Sequence, residues 1–490
     1  MTGHRLPHPS IAIIPIALLI TLLVIVITLF GSDSLSGGSQ IALLMGAGAC
    51  VLISMSVYGM PWKTFEHQMT KTIGDVSITL LILLTVGMLS GSWMVSGVVP
   101  TLIYYGVQIL SPKFFLVSAC IICSLVSLLS GSSWTTVATI GVALLGIAHA
   151  LGISEAWAAG AIISGAYFGD KMSPLSDTTI LASSSVRVDI FEHIRYMMLT
   201  TVPSISITLI IFLIAGFGWG SGDTALHIEQ YTNGLASTFN ISLWTLVVPV
   251  VTGILIARKV SSLIVLFASS IMAGIAALIL QPHLLSQIAG DPALSTAAAQ
   301  FKGLAITYYG ATAIQTGYDA LNELVSTGGM AGMLNTIWLI ICAMCFGSVM
   351  VASGMIESIT RVIIKWVHTR LSLVTSTVGT GLFLNLTTGD QFISIVLTAD
   401  MFRKVYEKDG FEPRLLSRTT EDAVTVTSVL VPWNTCGMTQ ATVLGVPTLT
   451  YLPYCFFNLI SPLMSMLVAA IGWRIHRRPQ VPSTDNQPTH

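Results

Sequence analysis

Long apolar segments separated by short polar ones recur along this chain of 490 residues. A helix needs about 20 predominantly apolar residues to cross the hydrocarbon core of a bilayer. The pattern predicts membrane-spanning helices at about 11–30, 38–59, 75–97, 156–184, 196–217, 262–281 and 448–473, with a shorter one at 242–257. It therefore predicts an all-α polytopic membrane protein.

The composition supports this fold class and narrows the function. Hydrophobic residues make up 53% of the chain and charged residues only 9%, whereas soluble domains carry about 25% charged residues. The formal net charge of −1 provides no basic face for nucleic acid. The phosphate-binding pattern G-x-x-x-x-G-K-[ST] does not occur. We therefore expect a secondary transporter driven by ion gradients, with no cofactor, rather than an enzyme.

Polar residues interrupt the predicted span 156–184 near its centre. Asp170, Lys171, Pro174 and Asp177 lie there within an otherwise apolar run. A charge at bilayer depth is costly unless it faces a cavity or a partner, and proline frees a carbonyl one turn earlier. These residues predict a broken transmembrane helix whose unwound centre carries an ion or proton site.

The positions of lysine and arginine predict the topology. All but Lys113, Lys171 and Lys302 of the 21 fall in short clusters, which the positive-inside rule places in the cytoplasm together with both termini. The segment 114–150 must then enter and leave from outside, as a re-entrant hairpin with its polar tip at 130–136. The segment 372–402 dips in from the cytoplasm with its tip at 385–391, and 419–445 is a second broken helix, interrupted at 431–437.

The two halves of the chain also resemble each other. Residues 90–97 are similar to 347–354, and residues 174–178 to 432–435, at a spacing of about 256 to 258 positions. Two repeats of opposite topology, each with a hairpin and a broken helix, form a known transporter architecture. We therefore expect a first inverted repeat at 1–217 and a second at 218–490, the latter including a cytoplasmic tail at 474–490.

The four polar interruptions are expected to converge on one cavity, because non-helical backbone at membrane depth must be buried in protein or line water. Hard cations prefer carboxylate, hydroxyl and carbonyl oxygens. The candidate ligands of a transported ion are Asp170, Ser173, Asp177, Thr178, Thr135, Thr136, Asp390, Thr388, Asn434 and Thr435. A carboxylate in such a site holds either a sodium ion or a proton, so Na+ and H+ are the expected substrates.

Simpler structural roles compete with this interpretation. Asp177 is the first candidate because it directly follows the break, but it could instead be the N-cap of the continuing half-helix. Asp170 could form a buried ion pair with Lys171. Asp390 could belong to an ordinary polar turn.

Other acidic residues are weaker candidates. Glu421 and Asp422 follow Arg418 near the predicted cytoplasmic entrance, where a solvated helix N-terminus and a proton pathway explain them equally well. Asp319 and Glu323 lie in 303–332, which we interpret as an external interfacial helix.

Four motifs resemble the NhaC family of sodium/proton antiporters. They are GDKMSPLSDTT at 169–179, GSSWTTVATIG at 131–141, PWNTCG at 432–437 and YLPYCFFN at 451–458. The resemblance extends from about residue 11 to 475. It implies exchange of sodium for protons by alternating access across the cytoplasmic (inner) membrane of a bacterium.

The same resemblance implies that the helices form two groups, a moving transport domain and a scaffold. The family is grouped with the ion-transporter superfamily, in which hairpins and broken helices move as a transport domain against a scaffold. The scaffold here would be 11–30, 38–59, 242–257 and 262–281. Related folds often form dimers, which makes a homodimer an expectation. Some similar proteins exchange sodium-coupled organic acids such as malate and lactate, so a carboxylate exchanger is the alternative. A channel or a membrane-embedded enzyme is a third class.

Overall fold

The computed structural model describes residues 6–30, 37–219, 224–365 and 367–475. Most of the tail predicted at 474–490 therefore lies outside the described residues, as do parts of two predicted external loops, at 31–36 and 220–223. Within the described ranges the chain is helical, and the extended pairing found there is one isolated bridge between Thr312 and Thr327.

Eight helices in the described part of the chain are long and apolar enough to cross a membrane. They are Pro9–Phe30, Gly38–Tyr58, Ser77–Val95, Pro112–Ser130, Ser133–Ala150, Ile190–Gly216, Ser262–Leu280 and Gly329–Ala352. Two further pairs pass the same criterion but are bent, Ile228–Thr238 with Leu243–Ala257 by 91° and Thr448–Tyr454 with Phe456–Ile471 by 56°. The predicted polytopic all-α fold is confirmed.

Two helix–turn–helix units lie where the sequence predicts hairpins. Hairpin 1 consists of Phe115–Ser130 and Ser133–Ala150, and hairpin 2 of Arg370–Thr388 and Gln391–Lys408. The second arm of hairpin 2 is longer than predicted because the good helix formers at 403–408 continue it.

Each hairpin turn is much shorter than the polar segment that predicted it. Gly131 and Ser132 break hairpin 1, and Gly389 and Asp390 break hairpin 2. The neighbouring threonines remain helical, and the hydroxyls of Thr136 and Thr387 are satisfied by carbonyls of the preceding turn, with Thr136 Oγ1 donating to Ser132 O at 2.9 Å. The expectation that all of 130–136 and 385–391 would be non-helical is therefore wrong.

Broken helix 1 consists of Glu155–Met172 and Asp177–Ser185. Pro174 lies in the gap, where its missing N–H leaves no helical hydrogen bond unmade. The helix predicted at 156–184 is thus interrupted near its centre, at 173–176.

Broken helix 2 begins earlier than the predicted residue 419, at Pro413. It runs through Pro413–Thr420, a π-helical turn at Glu421–Thr425 and a 3₁₀ turn at Ser428–Leu430, and it resumes at Thr435–Leu444. Side-chain amides satisfy carbonyls of this irregular stretch: Asn385 Nδ2 donates to Val424 O at 2.8 Å, and Asn458 Nδ2 to Val426 O at 2.7 Å.

These elements recur along the chain at a nearly constant separation of about 258 positions. The corresponding starting residues are Ser133 and Gln391 for the second hairpin arms, Glu155 and Pro413 for the broken helices, and Asp177 and Thr435 for their second halves.

The remaining helices surround these units. Gly38–Tyr58 packs against Leu334–Ala352, and Ser262–Leu280 packs against Ser77–Val95. The shorter helices are Trp62–Asp75, Val98–Ile109, Pro282–Ala289, Thr296–Tyr309, Asp319–Val325 and Met355–Ile364. The segment 303–332 is thus not the single interfacial helix predicted, since a loop closed by the Thr312–Thr327 bridge interrupts it.

Candidate functional site

The tip of hairpin 1 packs directly on the gap of broken helix 1. Gly131 adopts a left-handed conformation, with φ of 66°, and a Cβ atom there would lie 2.7 Å from the carbonyl carbon of Leu175. Asp170 Oδ2 accepts hydrogen bonds from the Ser133 backbone N–H at 3.0 Å and from Ser133 Oγ at 2.7 Å. The first carboxylate of the motif is therefore held by the start of the second hairpin arm.

The tip of hairpin 2 meets the gap of broken helix 2 in a similar way. The Thr435 backbone N–H donates to Gly389 O at 2.8 Å, and Thr435 Oγ1 donates to Asp390 Oδ2 at 3.1 Å. Asn434 Nδ2 donates to Asn385 O at 3.2 Å. In each half, one buried carboxylate thus joins a hairpin tip to a broken helix.

The helices that restart after the four breaks are capped by their own chain. The capping side chains are Ser132, Ser176, Asp390 and Asn434, which accept from the backbone N–H groups of Thr135, Thr179, Ile393 and Cys436 respectively. Asp177 is therefore not an N-cap, because Ser176 takes that role. The two functions of Asp390, capping and accepting from Thr435, show that it is more than part of a polar turn.

A cavity of about 910 Å³ lies between three of these breaks, the two hairpin tips and the gap of broken helix 1, and the surrounding helices. The gap of broken helix 2 at 431–434 does not line it, so the expectation that all four interruptions converge on one cavity is wrong. Its wall includes both hairpin tips, the gap of broken helix 1, and residues of Trp62–Asp75, Ser77–Val95 and Val247–Ala257. Four carboxylates line it, those of Asp75, Asp170, Asp177 and Asp390, together with two ammonium groups, those of Lys71 and Lys259. The cavity wall carries more acidic than basic groups, which favours a cationic ligand.

Half of the predicted ligands line this cavity. Those that do are Asp170, Asp177, Thr178, Thr135 and Asp390. The Asp177 side chain is exposed to it, whereas Asp170 and Asp390 are 6% and 2% exposed. A cavity that combines one accessible carboxylate with two nearly buried ones can meet a hydrated cation and then bind it with fewer waters.

The other five predicted ligands do not line the cavity and instead form hydrogen bonds at the helix breaks. Ser173 Oγ accepts from the Leu175 N–H at 3.2 Å, and Thr388 Oγ1 donates to Asp390 O at 3.1 Å. Thr136, Asn434 and Thr435 make the contacts described above. These hydrogen bonds stabilise the backbone that positions the carboxylates.

Lys171 does not pair with its neighbour Asp170. Its Nζ forms a fully buried ion pair with Asp422 Oδ1 and donates to Ser461 Oγ at 3.1 Å. Thr200 Oγ1 donates to the same Asp422 oxygen at 3.1 Å. The alternative of an Asp170–Lys171 pair is therefore wrong, since Asp422 is a better-placed partner on broken helix 2.

Glu421 and Asp422 do not lie at a solvated helix N-terminus. Both are 0% exposed, as is Arg418 on the preceding turn. Arg418 Nε lies 3.7 Å from Asp422 Oδ2, and its guanidinium stacks 4.9 Å from the centre of the Tyr196 ring. The apolar residues that enclose this π-helical turn come from distant helices, which explains why the local sequence did not reveal the burial.

Sequence reasoning missed four residues that carry a charge in the cavity or hold one of its carboxylates, Lys71, Asp75, Ser133 and Lys259. Asp75 ends the amphipathic helix Trp62–Asp75, Ser133 lies two positions before the predicted Thr135, and Lys259 follows a span. Only Ser133, inside a recognised polar tip, had a usable signal. Across the described residues, no three histidine, cysteine or acidic side chains form a metal-holding group.

Comparison with known proteins identifies related chains. Residues 6–184 and 165–473 match the Na+/H+ antiporter family. The chain is 38% identical to a Na+/H+ antiporter NhaC of Alkalihalophilus pseudofirmus, over 86% of this chain and 89% of that one. It is 36% identical to a Na+/H+ antiporter NhaC of Bacillus subtilis, over 84% and 88%.

A relative with a different substrate is almost as similar. The chain is 34% identical to a malate-2H+/Na+-lactate antiporter of Bacillus subtilis, over 88% of this chain and 89% of that one.

Proposed function

We propose that this chain, which belongs to the Na+/H+ antiporter family, is a multi-pass secondary antiporter that exchanges sodium for protons across the cytoplasmic membrane, with Asp170 and Asp177 as the carboxylates that the two ions share. The observation that carries this assignment is the acidic cavity whose wall contains both carboxylates on either side of a helix break.

Competition between the two ions at these carboxylates gives the exchange. Asp170 is nearly buried and held by Ser133, whereas Asp177 is exposed in the cavity and can meet a hydrated ion first. A bound cation favours the ionised carboxylate, and loss of the cation favours the protonated one. Each turnover therefore moves sodium in one direction and protons in the other.

Alternating access requires the site to open to each side in turn. The exposed Lys71 and Lys259 and the half-buried Gln68 line the cavity, and the positive-inside rule assigns their segments to the cytoplasm. We therefore interpret this conformation as inward-open. The regular recurrence of hairpins and broken helices supports two repeats of inverted topology, 1–217 and 218–490, with both termini in the cytoplasm.

The charge of the cavity distinguishes sodium from a carboxylate substrate. An organic acid such as malate needs cationic groups or free helix N-termini as partners. Lys171 is committed to Asp422, the restarted half-helices are capped, and four carboxylates face two lysines. These features favour the cation exchanger over the malate/lactate alternative.

Everted membrane vesicles test the assignment. Respiration establishes an inward proton gradient, monitored with a fluorescent ΔpH probe. Addition of sodium is expected to dissipate the gradient in vesicles with this chain and not in vesicles without it. A response to malate and lactate combined with no response to sodium would overturn the assignment.

A further inference from the structure

Glu421 is a buried acidic side chain with no role so far. It is 0% exposed, its polar neighbour is the Thr425 hydroxyl one turn later, and neither carboxylate oxygen makes a hydrogen bond of normal geometry among the described residues. An ionised carboxylate without partners is expensive to bury, so such a group takes up a proton instead. Of the glutamates in the chain, all of which lie in the described ranges, Glu421 is the one that is buried.

The surroundings of Glu421 link it to the cavity. The charged groups that act on it most strongly are Lys171 and Asp170 of broken helix 1 and its own neighbour Asp422, and Arg418 lies one turn earlier on broken helix 2. Asp170 is also a cavity-lining carboxylate. A positive charge arriving beside Asp170 is therefore felt at Glu421 through a poorly screening interior.

The other elements that pack on this turn carry charges that are mostly exposed or already bonded. Hairpin 2 contributes Arg370, which is occupied with the Ala469 and Ala470 carbonyls, the capping carboxylate of Asp390, the half-buried Arg403, and the exposed Asp400, Lys404, Glu407 and Lys408. The segment Pro413–Thr420 contributes Arg414, which pairs with Glu412 and Glu192. The second half of broken helix 1 contributes Asp177, and Phe456–Ile471 contains no ionisable residue. His193, on Ile190–Gly216, is buried and bonds to Ser417 Oγ at 2.8 Å.

The cluster can also compensate an ionised Glu421. Lys171 and Arg418 carry two positive charges, whereas Asp422 carries one negative charge, so one positive charge is uncompensated. Arg418 lies one turn before Glu421, and all three of its guanidinium nitrogens lack hydrogen bonds within the described residues. A rotation of the Glu421 side chain toward Arg418 would pair the two groups.

We propose that Glu421 is a second proton carrier of the exchange cycle, protonated while the cavity holds no cation and deprotonated toward Arg418 when a cation binds at Asp170. This inference rests on the proposed sodium/proton exchange and extends it. One proton then travels on the cavity carboxylates and one on Glu421, so each sodium ion exchanges for about two protons and the cycle moves net charge.

Glutamine at position 421 tests this directly, because it mimics the neutral acid and cannot release a proton. In proteoliposomes with purified full-length protein, the ratio of protons to sodium is read from the membrane potential at which net flux stops. We expect the ratio to fall from about two in the wild type to about one in Glu421→Gln, and the slope of log KM for sodium against pH to halve. Glu421→Asp should restore the ratio, and the exposed control Glu407→Gln should leave it unchanged.

The possible outcomes distinguish a failure of the role of Glu421 from a failure of the proposed sodium/proton exchange. Sodium-coupled proton flux in the wild type with an unchanged ratio in Glu421→Gln would overturn the role of Glu421 and leave the exchange intact, even if the rate were lower. A wild type that moves no protons with sodium would overturn both.

A measurement on the wild type covers the case in which the variant does not fold. Infrared difference spectra with and without sodium, on protein labelled with carbon-13 at the glutamate side-chain carboxyl, report a protonated glutamic acid. Since Glu421 is the buried glutamate, its band is expected to disappear on adding sodium and to shift with the label. A spectrum without a sodium-dependent, label-sensitive band would contradict the proposal.

Discussion

At the scale of single residues, position relative to the helix break decides what each carboxylate can do. Asp170 ends the first half of broken helix 1 and is anchored by two hydrogen bonds from Ser133. Asp177 begins the second half, with its side chain exposed in the cavity. The pair therefore combines one fixed oxygen group with one accessible group.

Asp177→Asn should weaken sodium exchange without unfolding the protein. The amide keeps the size of the side chain but removes its negative charge, and a hydrogen bond or ion contact to a charged group contributes about 1.5–3 kcal/mol. We expect the apparent sodium affinity in everted vesicles to fall about ten- to a hundredfold. The matched control is Asp400→Asn, at an exposed aspartate outside the cavity; equal activity in the two variants would remove Asp177 from the site.

Some of these residues can be predicted from the sequence and others cannot. Asp170, Asp177 and Asp390 are predictable because a charge or polar group inside an apolar run is locally visible. The partner of Lys171 is not, because Asp422 is 251 positions away in the sequence. Asp75 resembles an interfacial residue, since nothing near it in the chain indicates a cavity.

At the scale of elements, a helix break is defined by backbone conformation more than by polarity. Gly131 and Gly389 hold left-handed conformations with φ of 66° and 69°, whereas Ser130, Ser133 and Thr388, on either side of the two-residue turns, remain helical. The sequence therefore located both hairpin tips but overestimated their length. The presence of each helix could be predicted from the length of its apolar segment, which is a local property. The residues at which the hairpin arms end could not be predicted in this way.

Gly131→Ala should impair transport through both strain and contact. The left-handed conformation costs a non-glycine residue about 1–2 kcal/mol, and the added Cβ would also press on Leu175 at 2.7 Å. We expect lower thermal stability in detergent and a loss of sodium-dependent proton movement larger than stability explains.

Gly59→Ala is a suitable control for that substitution. Gly59 has nearly the same φ, 65°, but no atom from another part of the chain lies within 4 Å of the position that a Cβ would take. The variant carries the same conformational strain without the collision at the hairpin tip. If the two variants lose activity equally, the contact between the tip of hairpin 1 and Leu175 is not needed for transport.

At the scale of the whole molecule, orientation in the membrane follows from the distribution of charge. The positive-inside rule places 63–71 in the cytoplasm. Five predicted crossings follow, at 75–97, 156–184, 196–217, 242–257 and 262–281, and they place the loop around Asp291 outside. Thr64 and Ser295 are exposed residues in these two regions. Their accessibility reports the topology on which the inverted repeats depend.

Cysteine labelling tests this orientation. A membrane-impermeant thiol reagent should modify Ser295→Cys in intact cells and Thr64→Cys only in everted vesicles. Background is expected to be low, because six of the seven native cysteines are buried and Cys345 is half-buried. Modification of both introduced cysteines from the same side would contradict the topology.

The most direct test of the central claim is uptake of radioactive sodium by proteoliposomes driven by a proton gradient, in the wild type and in Asp170→Asn. Protons leaving the vesicle lumen should drive sodium accumulation above equilibrium in the wild type, and the neutral amide should abolish it because the anchored carboxylate can no longer hold either ion. Accumulation by Asp170→Asn at the wild-type level, or no accumulation by the wild type, would contradict the assignment of the cavity as the exchange site.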